Sequence, residues 1–237
     1  MSAFESERGD RPANGSVPAL AIHVCADVLA TEPYRRWTRL ISSRDAVQRA
    51  ARLCEHAGVV DQWMLVGEAA TRGALGAALA EAAKLLADDG LLVLTFSGHT
   101  ERGEGPIEAA RWCLFDGPIG VSEVGAQLAQ LPSAARVVVI ADTCYAGAIA
   151  RAPRGPQAFL LIGACDEEQT MVERACSELL VRFERLVFAH RGCSAAELKA
   201  VLEADTPACE RPCVWTDRVS WWSAAVVAPG ADRAGAR

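Results

Sequence analysis

Two apolar runs, each ending in a reactive side chain, constrain this chain more than anything else in it. Leu91-Leu92-Val93-Leu94-Thr95-Phe96-Ser97-Gly98-His99 ends in an imidazole, and Val137-Val138-Val139-Ile140-Ala141-Asp142-Thr143-Cys144 ends in a thiol. Hardly a polar residue interrupts either run, which is the pattern of a strand buried on both faces of a parallel sheet. Sites in open parallel sheets form outside the carboxyl ends of the strands. Two such strands in one sheet would therefore present His99 and Cys144 on the same edge. A free thiol is mostly protonated at neutral pH, and a nearby imidazole stabilises the thiolate and later supplies a proton to the leaving group.

The flanking sequence reads as α/β. A strand is expected over 18–25, with its exit loop at 26–33 on the same carboxyl edge. A helix over 45–57 is stopped by Gly58, and a strand over 59–66 and a helix over 71–87 follow. Asp88-Asp89-Gly90 turns the chain into the His99 strand. The β-α-β-α-β order predicts a mostly parallel central sheet with helices on both faces. Further on, 100–108 is too charged to be buried, 111–116 reads as a short strand and 121–131 as a helix. Past the thiol, 145–150 begins a helix whose N-terminal end would favour a thiolate, and 151–156 reads as an exposed loop. A buried strand over 159–165 and a helix over 173–188 come next. Ser194-Ala195-Ala196-Glu197 is a capping box opening a helix to residue 203, and a last strand is expected over 219–227.

Residues 1–17 are polar with few apolar partners and predict a disordered leader. The tail over 229–237 predicts loose chain, which leaves one domain over 18–228. The polar stretch at residues 1–10 predicts no signal peptide, and no run is apolar enough to cross a bilayer. A formal net charge of −6 argues against sequence-independent nucleic-acid binding. The nine cysteines, an odd number, read as reduced thiols of a cytoplasmic protein. Lysine occurs only at Lys84 and Lys199 while Arg and Ala abound, a hint of a GC-rich bacterial genome.

His99 precedes Cys144 by 45 residues; in caspases the His lies about 50 residues upstream of the Cys. Phe96-Ser97-Gly98-His99 and Asp142-Thr143-Cys144-Tyr145-Ala146-Gly147 resemble the (F/Y)SGHG and D-S-C-H-S-G motifs of metacaspases and bacterial caspase-like peptidases. Weaker matches follow in the same order: Arg44-Asp45-Ala46, Ala69-Ala70-Thr71, Asp89-Gly90, Cys113-Leu114-Phe115-Asp116 and Ile162-Gly163-Ala164-Cys165. The resemblance spans residues 18–186 and implies a caspase-like fold.

It also implies an endopeptidase with Cys144 as nucleophile and His99 as general base and acid. The oxyanion donors would be the backbone N–H groups of Cys144 and of Thr100, where the family has Gly. Tyr145 replaces the usual His after the nucleophile. By the same resemblance, Asp142, Asp27 and Ser97 bind a basic side chain before the cut. Arg151 and Arg154 stand where family members carry an activating cleavage, made by the protein itself or by an upstream protease. The partners implied are protein or peptide substrates, in bacterial stress, cell-death or antiviral defence systems. The competing reading, motivated by Thr100 and Tyr145, is a catalytically weak scaffold that binds a partner protein. No Gly-x-Ser-x-Gly elbow supports a small-molecule hydrolase.

No cofactor is expected, and the sequence offers no acidic cluster suited to calcium. His190, Cys193, Cys209 and Cys213 have spacing that resembles a structural zinc site. Their order is irregular and a capped helix separates the halves, so the spacing leaves zinc open. His23 and His56 read as core or helix-surface residues.

Overall fold

The computed structural model describes residues 17–37, 40–106, 109–165, 178–189, 194–204 and 212–217. The two apolar runs are strands β3 (Leu86–Gly98) and β7 (Arg136–Asp142), and they are direct neighbours. Around them lie β1 (Val17–Ala26), β2 (Asp61–Val66), β8 (Ala158–Gly163) and β9 (Cys213–Thr216). The sheet order is β2-β1-β3-β7-β8-β9, parallel throughout except for β9, which runs antiparallel to β8. The helices are α1 (Ile41–His56), α2 (Arg72–Leu85), α3 (Val121–Leu128), α4 (Glu178–Ala189) and α5 (Ala195–Glu203).

Period-two alternation sorts the strand side chains into two cores. Leu20, Ile22 and Val24 of β1, Leu92, Leu94 and Phe96 of β3 and Val137 and Val139 of β7 pack with α2 and α3. Ala21, Val93, Val138 and Ile140 point the other way, to α1, α4 and α5. Both faces are covered, which is why the runs lack polar breaks. A fully buried Leu or Phe contributes about 1.5–3 kcal/mol, against about 0–1 kcal/mol for an exposed ion pair. The sheet, not the surface charge, therefore fixes where the strands end. His23 is wholly buried on the α1 side, bonded to Thr95 Oγ1 at 2.9 Å and Gln62 Oε1 at 2.8 Å. Burial pushes its pKa down to about 4, so it is a core histidine, as expected.

A second, three-stranded sheet has the order β4 (Thr100–Glu101), β5 (Arg111–Leu114), β6 (Gly117–Gly120), all antiparallel. Phe96 of β3 and Trp112 of β5 stack at 4.4 Å with an interplanar angle of 2°, joining the two sheets. His99 is the single residue between the end of β3 and the start of β4.

Several sequence expectations need correction. Helix α1 begins at Ile41, so Ser42 and Ser43 lie inside it rather than before it. Ala87–Gly90 does not break the strand as a turn. β1 pairs Val17 with Leu86 and then Ala19 with Leu91, so these residues bulge from the ladder. Thr100 is buried, and Thr100–Glu101 form a strand where a solvated loop was expected. The segment after Cys144 is a six-residue 3-10 turn, Ala146–Arg151, too short to present a helix dipole to the thiol. Ser194 forms the expected capping box with Glu197. The sixth strand is Cys213–Thr216, and the strand expected over 219–227 lies outside the described residues. So do residues 1–16 and the tail, but Val17, expected in the leader over 1–17, is the buried first residue of β1, where it pairs with Leu86. Among the described residues no helix is long and apolar enough to cross a membrane.

Candidate active site

Sheet register decides what meets at the carboxyl edge. Cys25 of β1 pairs with Ser97 of β3, and Ser97 pairs with Asp142 of β7. Alternation puts all three on the α1/α4/α5 side, and Ser97 Oγ donates to Asp142 Oδ2 at 3.1 Å. Asp27, His99 and Cys144 each follow two residues after a member of this row. The strands end in step, so the imidazole and the thiol leave the sheet together. Ser97 and Asp142 are buried, and Asp27 is buried with its Oδ2 accepting from Arg44 Nε of α1 at 2.6 Å. Sequence reasoning did not single out Arg44 as a partner of Asp27. Nothing local signals it, because the pair forms only when α1 crosses the end of β1.

A hydroxyl chain ties the two strand ends. Thr143 Oγ1 donates to the Gly98 carbonyl at 2.8 Å, and Thr143 and Thr100 hydroxyls are 2.6 Å apart. The carbonyl can only accept, so Thr143 gives its proton there and Thr100 donates to Thr143. The residue before the thiol is thus bonded to the residues on both sides of the imidazole. On the β4–β5 ladder, His99 O accepts from Cys113 N–H at 2.9 Å. Thr100 and Trp112 are therefore a non-hydrogen-bonded pair, and the Thr100 N–H points away from β5. Thr100 has extended backbone, so its Cβ meets no positive-φ strain. Tyr145 does: its φ of 52° is left-handed, a conformation that costs a non-glycine residue of order 1 kcal/mol and is held where the surroundings over-determine it.

An open groove of about 650 Å³ runs along this edge, with His99, Thr100 and Tyr145 in its lining beside Trp37 and Glu101. The Trp37 ring meets His99 edge to face at 4.9 Å and Tyr34 likewise at 5.1 Å. Tyr34 OH reaches both Glu101 oxygens at 2.9 Å, and Arg111 Nε pairs with Glu101 at 2.5 Å. The loop after β1 is thereby pinned onto β4 with its indole against the imidazole. Trp37 was not singled out in the sequence, where its partner is far along the chain.

Among the described residues, burial sets Cys144 and Cys213 apart from Cys25, Cys54, Cys113 and Cys165. Cys54 and Cys113 are buried and pushed up to about 12 by that burial, which keeps them protonated. Cys144 is half-buried, and Tyr145, the residue after it, lines the groove. The loop over 151–156 is less exposed than expected. Arg151 is exposed, but Ala152 is buried, and the Arg154 guanidinium lies 4.2 Å from the Phe159 ring centroid and 4.6 Å from that of Trp215. Arg154 also donates to Ala150 O at 2.6 Å. Of the zinc candidates, His190, Cys193 and Cys209 lie outside the described residues, while Cys213 Sγ donates to Cys165 O at 3.2 Å.

No family model and no curated protein matches this sequence. Solved structures do resemble it. A Geobacter sulfurreducens protein, GSU0716, is 19% identical with a TM-score of 0.76, covering 90% of this chain and 99% of its own. Caspase-1 from Spodoptera frugiperda is 11% identical with a TM-score of 0.63, covering 87% of this chain and 93% of its own. Likeness over most of both chains at such low identity is a likeness of architecture: the fold of this chain is caspase-like.

Proposed function

We propose that this chain is a cysteine endopeptidase of the metacaspase type, cutting proteins after Arg or Lys. The β3–β7 register carries the reading, because it ends the His99 and Cys144 strands in step beside an open groove. Cys144 attacks the substrate carbonyl as a thiolate. His99 takes the thiol proton and returns it to the leaving amine, and water then hydrolyses the thioester. The Thr100 and Cys144 N–H groups would hold the oxyanion, and the outward direction of the Thr100 N–H suits that role. Asp142, with Ser97 and Asp27, would receive the guanidinium or ammonium, since buried carboxylates suit guanidinium geometry. Activating cleavage would fall after Arg151 in preference to Arg154, whose side chain is held between two rings. A cytoplasmic role in bacterial defence or cell death rests on the family resemblance.

The test is hydrolysis of fluorogenic peptides ending in Arg, Lys or Asp by wild type and Cys144→Ala. Arg cleavage by wild type alone is expected; equal rates for the two proteins would exclude the thiol as nucleophile. The burial of Asp27, Ser97 and Asp142 favours one second reading, a catalytically weak scaffold that binds a partner. A basic peptide probe with a thiol-reactive warhead separates the two, since only the enzyme is labelled at Cys144.

A further inference from the structure

The groove beside His99 carries charge of its own. Arg36 and Arg102 line it together with Glu101. Glu101 is already matched by Arg111 and by the Tyr34 hydroxyl, and its side chain is 19% exposed. Arg36 is 84% exposed and touches Glu32 at 3.4 Å, but Glu32 also pairs with Arg35 at 2.9 Å. One carboxylate between two guanidiniums leaves a positive charge over. Arg102 is exposed and, among the described residues, makes no ion pair; the exposed Glu104 does not line the groove. The rim is therefore cationic on a chain whose net charge is −6. Trp37, 37% exposed, and Tyr145 add aromatic surface to the same lining.

From this we infer that the groove binds an Asp or Glu side chain of the substrate, close to the bond that is cut. The proposal rests on the peptidase reading for the ligand being a peptide, and it adds an anionic requirement beside the basic one. An extended peptide lying past His99 carries its neighbouring side chains between Arg36 and Arg102, where guanidinium forks take a carboxylate. The aromatic walls exclude water from one side of that contact. The two positions of the substrate then sort by sign: the basic residue to the acids under the sheet edge, the acidic residue to the rim.

The experiment uses the full chain carrying Cys144→Ala, so that peptides survive. Dye-labelled, C-terminally amidated peptides hold one central Arg, and Asp or Asn is walked through three positions on either side. Fluorescence anisotropy should find one position at which Asp binds about three- to tenfold more tightly than Asn, the size expected of one or two exposed ion pairs. The gain should shrink in 0.5 M salt and vanish when Arg36→Gln and Arg102→Gln are added. Asp and Asn binding alike at every position overturns the inference, as does a gain that survives both Gln substitutions. So does a gain seen only with a free C-terminal carboxylate. Turnover by wild type is read separately. Hydrolysis without an acid preference defeats the groove proposal alone, whereas an acid preference in binding without hydrolysis defeats the peptidase reading alone.

Discussion

Asp27, Ser97 and Asp142 are 3%, 3% and 7% exposed, whereas Trp37 is 37% exposed and Arg36 and Arg102 stand in solvent. Both groups sit at the carboxyl edge, and their difference follows from where each is carried. Ser97 and Asp142 sit on strands, and Asp27 follows β1, so alternation sends them beneath α1, α4 and α5. Arg36, Trp37 and Arg102 stand on connections that only cross the edge. The acid row must therefore open to admit a ligand, with Arg44 already on Asp27, while the groove needs no rearrangement. In the proposed enzyme the row would supply selectivity at a cost and the groove would supply encounter.

The sharpest way to break that contrast is Asp142→Asn. Losing a buried charge partner costs about 2–5 kcal/mol, so kcat/KM toward Arg peptides should fall on the order of a thousandfold, with anionic selectivity in the groove retained. A change smaller than about tenfold would mean that the row receives no guanidinium. Next comes acid sensitivity on the same sheet face. His23 is held down to about 4 by burial, against 6.5 when unfolded. Below 6.5 the unfolded chain binds a proton that the folded chain refuses, so stability present above that pH is lost as pH falls toward 4, by about 3 kcal/mol. Thermal melts between pH 7 and pH 4 should fall more steeply for wild type than for His23→Gln.

Thr143→Val removes a donor to Gly98 O and an acceptor for Thr100, and should cost about 2 kcal/mol in urea unfolding. Thr143→Ser should recover most of it; if Val and Ser behave alike, the hydroxyl chain does not hold the strand ends. The smallest effect is expected from Arg44→Gln, which releases the resident guanidinium from Asp27. KM for Arg peptides should drop about threefold at constant kcat, and an unchanged KM would place Asp27 outside the substrate's reach.

The central strands could be read from the chain because burial on both faces leaves an uninterrupted apolar run, as in β3 and β7. Cys213–Thr216 gives no such signal: four residues with one face partly open form a strand only because β8 offers an edge. Thr100–Glu101 hid among charges, and its burial comes from pairing with β5 rather than from composition. The Pro and Gly around Arg154 predicted exposure, and the rings that enclose it are supplied by β8 and β9. At the site, His99, Cys144, Ser97 and Asp142 were legible because each lies on or next to a strand end. Arg44, Trp37 and the groove arginines were not, because Asp27, His99 and the rest of the groove lining that they meet come from other segments of the chain.

His99 is the one residue linking the last rung of the large sheet to the first rung of the small one. It is thus an axle as well as a side chain. A molecule that displaced the hairpin of β5 and β6 would be felt at that residue, against the resistance of the Phe96–Trp112 stack and the Thr100–Thr143 hydroxyl pair. In the proposed enzyme, such a displacement would shift the imidazole while the sulfur stayed where the end of β7 holds it.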